Sequence, residues 1–288
     1  MLYSYIMIKI IFLLFILFYT SLFAQKQYFI ISGVVVKSGS NTLTEKFTKY
    51  LSQKSDYPLE TKFVATYDEL SAMMKMYPKS LAWTCGSPFV EDNYNDAQQL
   101  VAVPTFNGNA TYHSLVVTRK ERSERSLMEF NNTIFAYSDS RSNSGYIAPS
   151  STLLNSGTNI RKHFKLLIHS GNHTRSLQAV IHGLCDVATV DEHWWILYKQ
   201  KNPNTPLKVI QKLGPYPYTP IVAGKGVNQH ELTSLQKVLL DMSNEPQGKS
   251  ILEQYMLESF ILKDNTFYHP LQVILEQLGR LTSRKEAP

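Results

Sequence analysis

Cysteine is scarce in this sequence, whose 288 residues include only Cys85 and Cys185. Two cysteines cannot form a disulfide framework, and neither belongs to a cluster of cysteines and histidines with the spacing of a zinc site. The acidic residues Asp186, Asp191 and Glu192 also match no known metal cage by their spacing. We therefore expect neither a resident metal nor a cofactor.

The sequence also lacks a large excess of one charge. It has 29 basic and 23 acidic residues, a formal net charge of +6, and no basic blocks. This surplus fits weak attraction of anions and does not point to a nucleic-acid partner. With 43% hydrophobic and 18% charged residues, the composition excludes a disordered polyelectrolyte. It is typical of one large globular domain or two of about 130 residues.

Two common catalytic or nucleotide-binding motifs are missing. The sequence contains neither a GxSxG nucleophile elbow nor a GxxxxGK[ST] phosphate-binding loop. A serine and a histidine could be paired as a nucleophile and its base, but no carboxylate that would orient the histidine is evident. The sequence therefore favours a binding protein over an enzyme.

A long hydrophobic run is found only at the N-terminus, where Ile6 to Phe23 is almost wholly apolar. Ile10 to Tyr19 has the length of a signal-peptide core, and Ala24 supplies a small residue for cleavage. We predict that residues 1–24 are a cleaved signal peptide, with Met1 or Met7 as the start. The alternative is an uncleaved anchor, because the run is near the lower limit for spanning a bilayer.

Strand-like and helix-like patterns alternate along the rest of the chain, which predicts an α/β fold with largely parallel sheets. Strands are predicted over Tyr28–Val36, Lys62–Ala65, Leu81–Thr84, Leu100–Val103, Ser114–Thr118, Ile134–Tyr137, Lys165–His169, Asp186–Val190 and Lys208–Gln211. Helices are predicted over Leu43–Leu51, Tyr67–Tyr77, Glu121–Phe130, Gly145–Leu154, Thr174–His182, Glu231–Met242, Lys249–Glu258 and Leu271–Leu281. The pattern runs twice, so we expect two lobes joined by crossings near Tyr112–Arg119 and Leu213–Ile221. Gly214–Pro220 is too proline-rich to be assigned regular structure.

One candidate site is the serine-rich loop that follows the strand at Ile134–Tyr137. Ser142, Asn143 and Ser144 stand at the start of the next predicted helix. Their side chains and the free backbone N–H groups of a helix start can donate to a tetrahedral oxyanion, and the helix dipole favours an anion there. A capping loop with serines chosen for turn chemistry explains the same residues.

A second candidate is the loop Ser170–Ser176, which places His173 at the start of another helix. An imidazole there can donate to an anion, although a single histidine in this position is more often structural. Both loops leave strands at their carboxyl ends, where open α/β sheets place ligands. At the presumed first crossing, Tyr112 is either a ligand hydroxyl or a packed aromatic residue.

Several short motifs occur in one order along most of the chain, and their order is more specific than any motif alone. They are Leu81-Ala82-Trp83, Val103-Pro104, Tyr112 to Ser114, Ser142-Asn143-Ser144-Gly145, Gly171-Asn172-His173, Asp186-Val187-Ala188-Thr189 and Pro215 to Pro220. In these the chain resembles the phosphate-, phosphite- and phosphonate-binding periplasmic proteins, the PhnD-like family. The resemblance implies a type II periplasmic solute-binding protein, in which two α/β lobes with mostly parallel sheets close over an anion around two hinge crossings.

The resemblance also implies which residues touch the ligand. At matching positions, Ser142, Asn143, Ser144 and His173 would hold the oxyanion, with Tyr112 reaching in from the crossing. The family more often has threonine where Asn143 stands. We expect lobe 1 to comprise residues 25–113 and 219–288, and lobe 2, with the anion-binding loops, to comprise residues 114–218.

Departures from the family pattern bear on the ligand. Members that bind aminoalkyl phosphonates have acidic side chains where His193 and Thr219 stand, which argues against an aminated ligand. A cleft-wall tyrosine is replaced by Thr84-Cys85, and a thiol in the cleft suits a soft metalloid such as trivalent arsenic. Alternatively, Cys85 is a small buried residue at a strand end. No Cys85–Cys185 bond is expected, because the two residues belong to different lobes.

The function expected from these observations is capture of a small oxyanion (phosphate, phosphite or a phosphonate) in the periplasm and its delivery to the permease of an ABC transporter. The alternative is a periplasmic sensor of an oxyanion or a metalloid such as arsenite that signals to a histidine kinase. In either case we expect a monomer with no nucleic-acid partner.

Overall fold

The computed structural model describes residues 26–34 and 41–281, so the predicted signal peptide lies outside the described residues. The strands are β1 (Tyr28–Ser32), β2 (Glu60–Val64), β3 (Leu81–Trp83), β4 (Gln99–Thr105), β5 (Thr111–Arg119), β6 (Ile134–Tyr137), β7 (Leu166–His169), β8 (Val187–Asp191), β9 (Leu207–Pro217), β10 (Ile221–Ala223) and β11 (Ser259–Ile261). The α-helices are α1 (Asn41–Ser55), α2 (Tyr67–Met76), α3 (Gly86–Asp96), α4 (Ala148–Asn155), α5 (Ile160–His163), α6 (His173–Ile181), α7 (Glu192–Lys201), α8 (Gln229–Asp241), α9 (Pro246–Tyr255) and α10 (His269–Gln277). None of the helices in these ranges is both long enough and apolar enough to cross a membrane.

The strands form two sheets, which confirms the predicted two-lobed α/β fold. Lobe 1 is built on a six-stranded sheet of order β11-β4-β10-β3-β1-β2, in which β2, β1 and β3 are parallel and β10 and β11 run against their neighbours. Lobe 2 is built on a five-stranded sheet of order β7-β6-β8-β5-β9. There β7, β6 and β8 are parallel, and β5 is antiparallel to β8 and β9.

Burial of apolar side chains holds the central strands of the lobe 1 sheet in place. In β1, Phe29, Ile30 and Ile31 are all buried, as expected for a strand covered on both faces. Beside them the rings of Phe47 and Trp83 lie 5.6 Å apart, and Trp83 also contacts Phe260 of β11. The aromatic cluster therefore ties helix α1 and the edge strand to the centre of the lobe 1 sheet.

The chain passes between the two sheets twice. It leaves lobe 1 after β4 and enters lobe 2 at Thr111, and it returns between Pro217 and Ile221. The first crossing was predicted at Tyr112–Arg119, which is too far along the chain. That segment already belongs to strand β5 of lobe 2 and pairs with β9. The predicted second crossing includes the observed return. The lobe limits at residues 113/114 and 218/219 stay a prediction.

Two predicted elements are wrong. Glu121–Phe130 is not an α-helix; only Leu127–Phe130 forms a 3-10 turn, and the preceding polar residues pair locally, as Arg122 does with Glu124. Gly214–Pro220 is not wholly irregular, because β9 continues to Pro217. Strand β9 is at the edge of its sheet, where proline is tolerated since one side of the strand needs no ladder donors.

A buried ion-pair network joins the lobes beside the serine-rich loop. Arg141 of lobe 2 donates through Nε to Glu91 Oε2 at 2.6 Å and through a terminal nitrogen to Asp92 Oδ1 at 2.7 Å, both on helix α3 of lobe 1. It also donates to Ser71 Oγ at 2.7 Å. The side chains of Arg141, Glu91 and Asp92 are less than a tenth exposed. Arg280 shares Glu91 and donates to the Ser140 carbonyl at 2.9 Å.

Replacing this arginine should destabilise the protein strongly. We expect Arg141→Met to lower the free energy of unfolding by about 3–5 kcal/mol, because Asp92 would remain buried without its charged partner. Urea unfolding measures the loss, and Arg141→Met combined with Asp92→Asn should lose less than the sum of the single changes. The exposed Arg125→Met is the matched control; an equally small loss at both arginines would contradict the prediction.

Candidate functional site

A cavity of about 140 Å³ lies between the two lobes. This volume is close to the ~150 Å³ that accommodates a benzene molecule, so the cavity suits a small solute. The residues of its wall that carry polar groups are Tyr67, Cys85, Ser142, Ser144, His173, Asp191, His193, Lys201, Tyr218, Thr219, Gln254 and Tyr255. Its apolar wall consists of Ile31, Val34, Leu43, Trp83, Trp194, Leu197 and Leu257. Both lobes and the return crossing contribute.

The serine-rich loop is held in place by the sheet of lobe 2. The Ser114 hydroxyl donates to the Ser144 carbonyl at 2.7 Å, and Thr189 Oγ1 donates to the Gly145 carbonyl at 3.1 Å. The backbone N–H of Gly145 donates to Ser142 Oγ at 3.1 Å. A side chain at position 145 would collide with Ser138, so the close turn requires glycine. The Ser142 hydroxyl accepts this bond and keeps its own proton available for a ligand.

The histidine loop meets the serine-rich loop at the cavity. Asn172 caps helix α6 by accepting from the Arg175 N–H at 2.9 Å, which places His173 at the first helical position. His173 Nε2 lies 3.4 Å from Ser144 Oγ, and its Nδ1 has no partner among the described residues. Burial lowers the pKa of His173 to about 4. The ring is therefore neutral near pH 7 and has one N–H to donate.

Asn143, Tyr112 and Cys85 form a layer at the base of the serine-rich loop. Asn143 Nδ2 donates to the Tyr112 hydroxyl at 2.9 Å, and the Asn143 N–H points to Cys85 Sγ at 3.4 Å. Of these three residues only Cys85 is on the cavity wall. Burial raises the pKa of the Cys85 thiol, which therefore stays protonated near pH 7. Cys85 and Cys185 are both free, which confirms the expected absence of a bond between them.

The remaining predicted site residues have different positions. His193 and Thr219 line the cavity, whereas Thr84 is fully buried and absent from its wall. Thr219 Oγ1 accepts from Trp83 Nε1 at 3.3 Å. The His193 ring packs 4.6 Å from that of Phe106, and burial lowers its pKa to about 4. The structure thus brings six of the nine predicted residues to one wall: Cys85, Ser142, Ser144, His173, His193 and Thr219.

Sequence reasoning gave no ligand role to Tyr67, Asp191 and Trp194, which also line the cavity. Tyr67 is the third residue after the end of β2, and Asp191 is the last residue of β8. Their positions at carboxyl strand ends were the available signal. For Trp194 the sequence left open a place at the cleft rim, a contact between the lobes or a buried pair with Trp195; the residue is half-buried on the cavity wall, and its Nε1 has no partner among the described residues.

The charges on the cavity wall are few. Among the described residues that line it, the only basic side chain is that of Lys201, which is exposed, and the only carboxylate is that of Asp191. Burial raises the pKa of Asp191 to about 7. An anion in this cavity would therefore be held mainly by neutral hydroxyl, imidazole, indole and backbone donors. The starts of the helices fix the positions of several of these donors.

Comparison with known proteins identifies the class to which this architecture belongs. Residues 37–268 match the family model described as "ABC transporter, phosphonate, periplasmic substrate-binding protein". The match covers most of the chain, so the chain belongs to this family of binding proteins and is not an enzyme. Among curated proteins, none matches the sequence significantly.

Solved structures show the same fold. A binding protein component of an ABC phosphonate transporter from Pseudomonas aeruginosa is 21% identical, with a TM-score of 0.78 over 88% of this chain and 87% of that one. PhnD1 from Prochlorococcus marinus, solved with methylphosphonate, is 20% identical, with a TM-score of 0.78 over 88% and 99%. A Xanthomonas citri protein bound to chloride is 15% identical, with a TM-score of 0.71 over 88% and 98%.

The neutral state of His173 has a measurable consequence for stability. Its folded-state pKa of about 4 lies below the ordinary value of 6.5, so the unfolded chain binds a proton first as the pH falls. We expect this residue to remove about 2 kcal/mol from the free energy of unfolding between pH 7 and pH 5. Denaturant unfolding of the wild type and His173→Gln at both pH values isolates the contribution. Equal losses in the two proteins would contradict it.

Proposed function

We propose that this chain captures a small tetrahedral oxyanion in the interlobe cavity and delivers it to the permease of an ABC transporter. The observation that carries the proposal is that Ser144 and His173, which come from two separate strand-exit loops, lie 3.4 Å apart on the wall of one cavity. Membership of the phosphonate-binding family supports the same function. No comparison favours the alternative of a sensor that signals to a histidine kinase.

In this proposal the donors divide into two groups. Ser142, Ser144 and His173 donate directly to the oxyanion oxygens, while Asn143 and Tyr112 fix the loop from beneath through their 2.9 Å hydrogen bond. The remaining predicted residues complete the wall or support it: Cys85, His193 and Thr219 line the cavity, and Thr84 lies behind it.

Closure of the lobes supplies selectivity. Residues 25–113 and 219–288 would move against residues 114–218 about the two crossings and enclose the ligand. Each hydrogen bond to a charged oxygen then contributes roughly 1.5–3 kcal/mol, and a ligand of another shape leaves buried donors unpaired. We infer that the permease recognises the closed form, that residues 1–24 direct export to the periplasm, and that the exported chain acts as a monomer.

The ligand class follows from the donor set and the family. Phosphonate, phosphite and phosphate share a tetrahedral oxyanion, and the related PhnD1 was solved with methylphosphonate. His193 and Thr219 offer no carboxylate to an amine, and Asp191 is the only carboxylate among the described residues that line the cavity. A thermal-shift screen with methylphosphonate, phosphite, phosphate, arsenate, arsenite and sulfate tests the class, since a ligand that binds the folded state raises the unfolding midpoint.

Removing the proposed donors should abolish binding without unfolding the protein. Ser142→Ala combined with Ser144→Ala removes two hydroxyl donors, so we expect methylphosphonate affinity to fall by roughly 10²–10⁴-fold. His173→Asn should lower it by at least tenfold. Isothermal titration calorimetry measures both, with the exposed Ser156→Ala as the matched serine control. Affinity unchanged in the double serine variant would remove this site from consideration.

A further inference from the structure

Asp191 is the only carboxylate among the described residues that line the cavity, and it stands beside the proposed anion donors. We propose that Asp191 shares one proton with the bound oxyanion, so that the complex forms with a single proton between carboxylate and ligand. The site would then select oxyanions that can share a proton with a carboxylate at neutral pH, such as the singly protonated form of a phosphonate. This inference rests on the proposed function and adds the protonation state of the ligand.

The sheet places this carboxylate at the anion-binding end of the cavity. Asp191 and Thr189 alternate along β8 on the same face, and Thr189 Oγ1 donates to the Gly145 carbonyl of the serine-rich loop at 3.1 Å. In register with Asp191 on β5 is Ser114, whose hydroxyl donates to the Ser144 carbonyl at 2.7 Å. The same two strands therefore hold the donor loop and the carboxylate together.

One oxygen of Asp191 already has a structural role. Its Oδ1 accepts from the Trp194 N–H at 3.0 Å and caps helix α7. The backbone N–H of His193 also bonds to this carboxylate, while Asp191 as a residue is only partly buried and lines the cavity. A carboxyl that caps with one oxygen can present the other to a ligand, because each oxygen has two lone pairs.

The groups around Asp191 offer little positive charge to offset a second anion. Those that face it or share its wall are Tyr67, Cys85, Tyr112, His173, His193, Tyr218, Tyr255 and Glu192. Burial lowers the pKa of His173 and of His193 to about 4, so both rings are neutral. Glu192 pairs at 2.8 Å with His113 and with Lys212. Lys201 is exposed at the rim.

Two adjacent negative groups in such a site cannot both be fully ionised. A carboxylate beside a dianionic oxyanion in a poorly solvated cavity resembles a pair of carboxylates that share one site, in which one proton is retained. The proton comes from the hydrogen oxyanion or from solvent, and an O–H···O bond replaces the repulsion. The raised pKa of Asp191, about 7, shows that this carboxyl already holds a proton more readily than usual.

The pH dependence of affinity tests the proposal, with methylphosphonate as the probe. Above pH 8 both Asp191 and the ligand are ionised when separate, so binding should take up one proton and affinity should fall tenfold per pH unit. In Asp191→Asn, the amide oxygen can still cap α7 and the amide nitrogen can donate to the ligand. This variant should take up no proton above pH 8, and its affinity should change less than twofold per pH unit.

Calorimetry from pH 7 to 9.5, in buffers of different ionisation enthalpy, counts the protons. Glu192→Gln is the matched control, since it neutralises the neighbouring carboxylate that is absent from the cavity wall, and it should keep the wild-type slope. Parallel pH profiles for the wild type and Asp191→Asn would overturn the inference while leaving the proposed function intact. So would 2-aminoethylphosphonate binding 100-fold tighter than ethylphosphonate in the wild type alone, because Asp191 would then be an amine ligand. Absence of oxyanion binding in the wild type would end both proposals.

Discussion

The Arg141 guanidinium, buried between the lobes, is the contact on which the geometry of the cavity depends. It directly precedes Ser142 in the chain, and its carboxylate partners Glu91 and Asp92 belong to lobe 1. A buried arginine is costly unless its donors are all used, so the network fixes the position of the serine-rich loop against helix α3. The network thereby holds the proposed anion donors of lobe 2 in a fixed position relative to the part of the cavity wall that lobe 1 supplies.

The same network explains how the proposed anion site can lack a buried cation among the described wall residues. Arg141 directly precedes the loop, but its guanidinium is ion-paired with Glu91 and Asp92 and is absent from the cavity wall. In the proposed function, the anion is then bound by oriented neutral donors, which select a ligand by its shape more than by its charge. Such donors discriminate well, because a ligand that leaves one of them unpaired loses its full desolvation cost.

The sequence was sufficient for the fold class, because the fold class depends on local order, and it also indicated six of the side chains that line the cavity. Strand-exit loops are visible as polar runs after apolar ones, and this pattern made Ser142, Ser144 and His173 candidates, all of which line the cavity. The missed helix α3 and the wrong helix at Glu121–Phe130 show the limit. Helix α3 contains glycine and proline and has little amphipathic pattern; its stability comes from packing against α2 and α10, which a single sequence does not display.

Asp191 shows why the remainder of the site escaped prediction. By residue type and spacing it is an ordinary N-cap, and it does cap helix α7. Only the register of β8 with β5 places it beside the loop that contains Ser144, and only burial raises its pKa to about 7. A carboxylate is an unexpected neighbour for an anion unless a proton lies between them. In our proposal, this cavity therefore recognises the charge state of the ligand together with its tetrahedral shape.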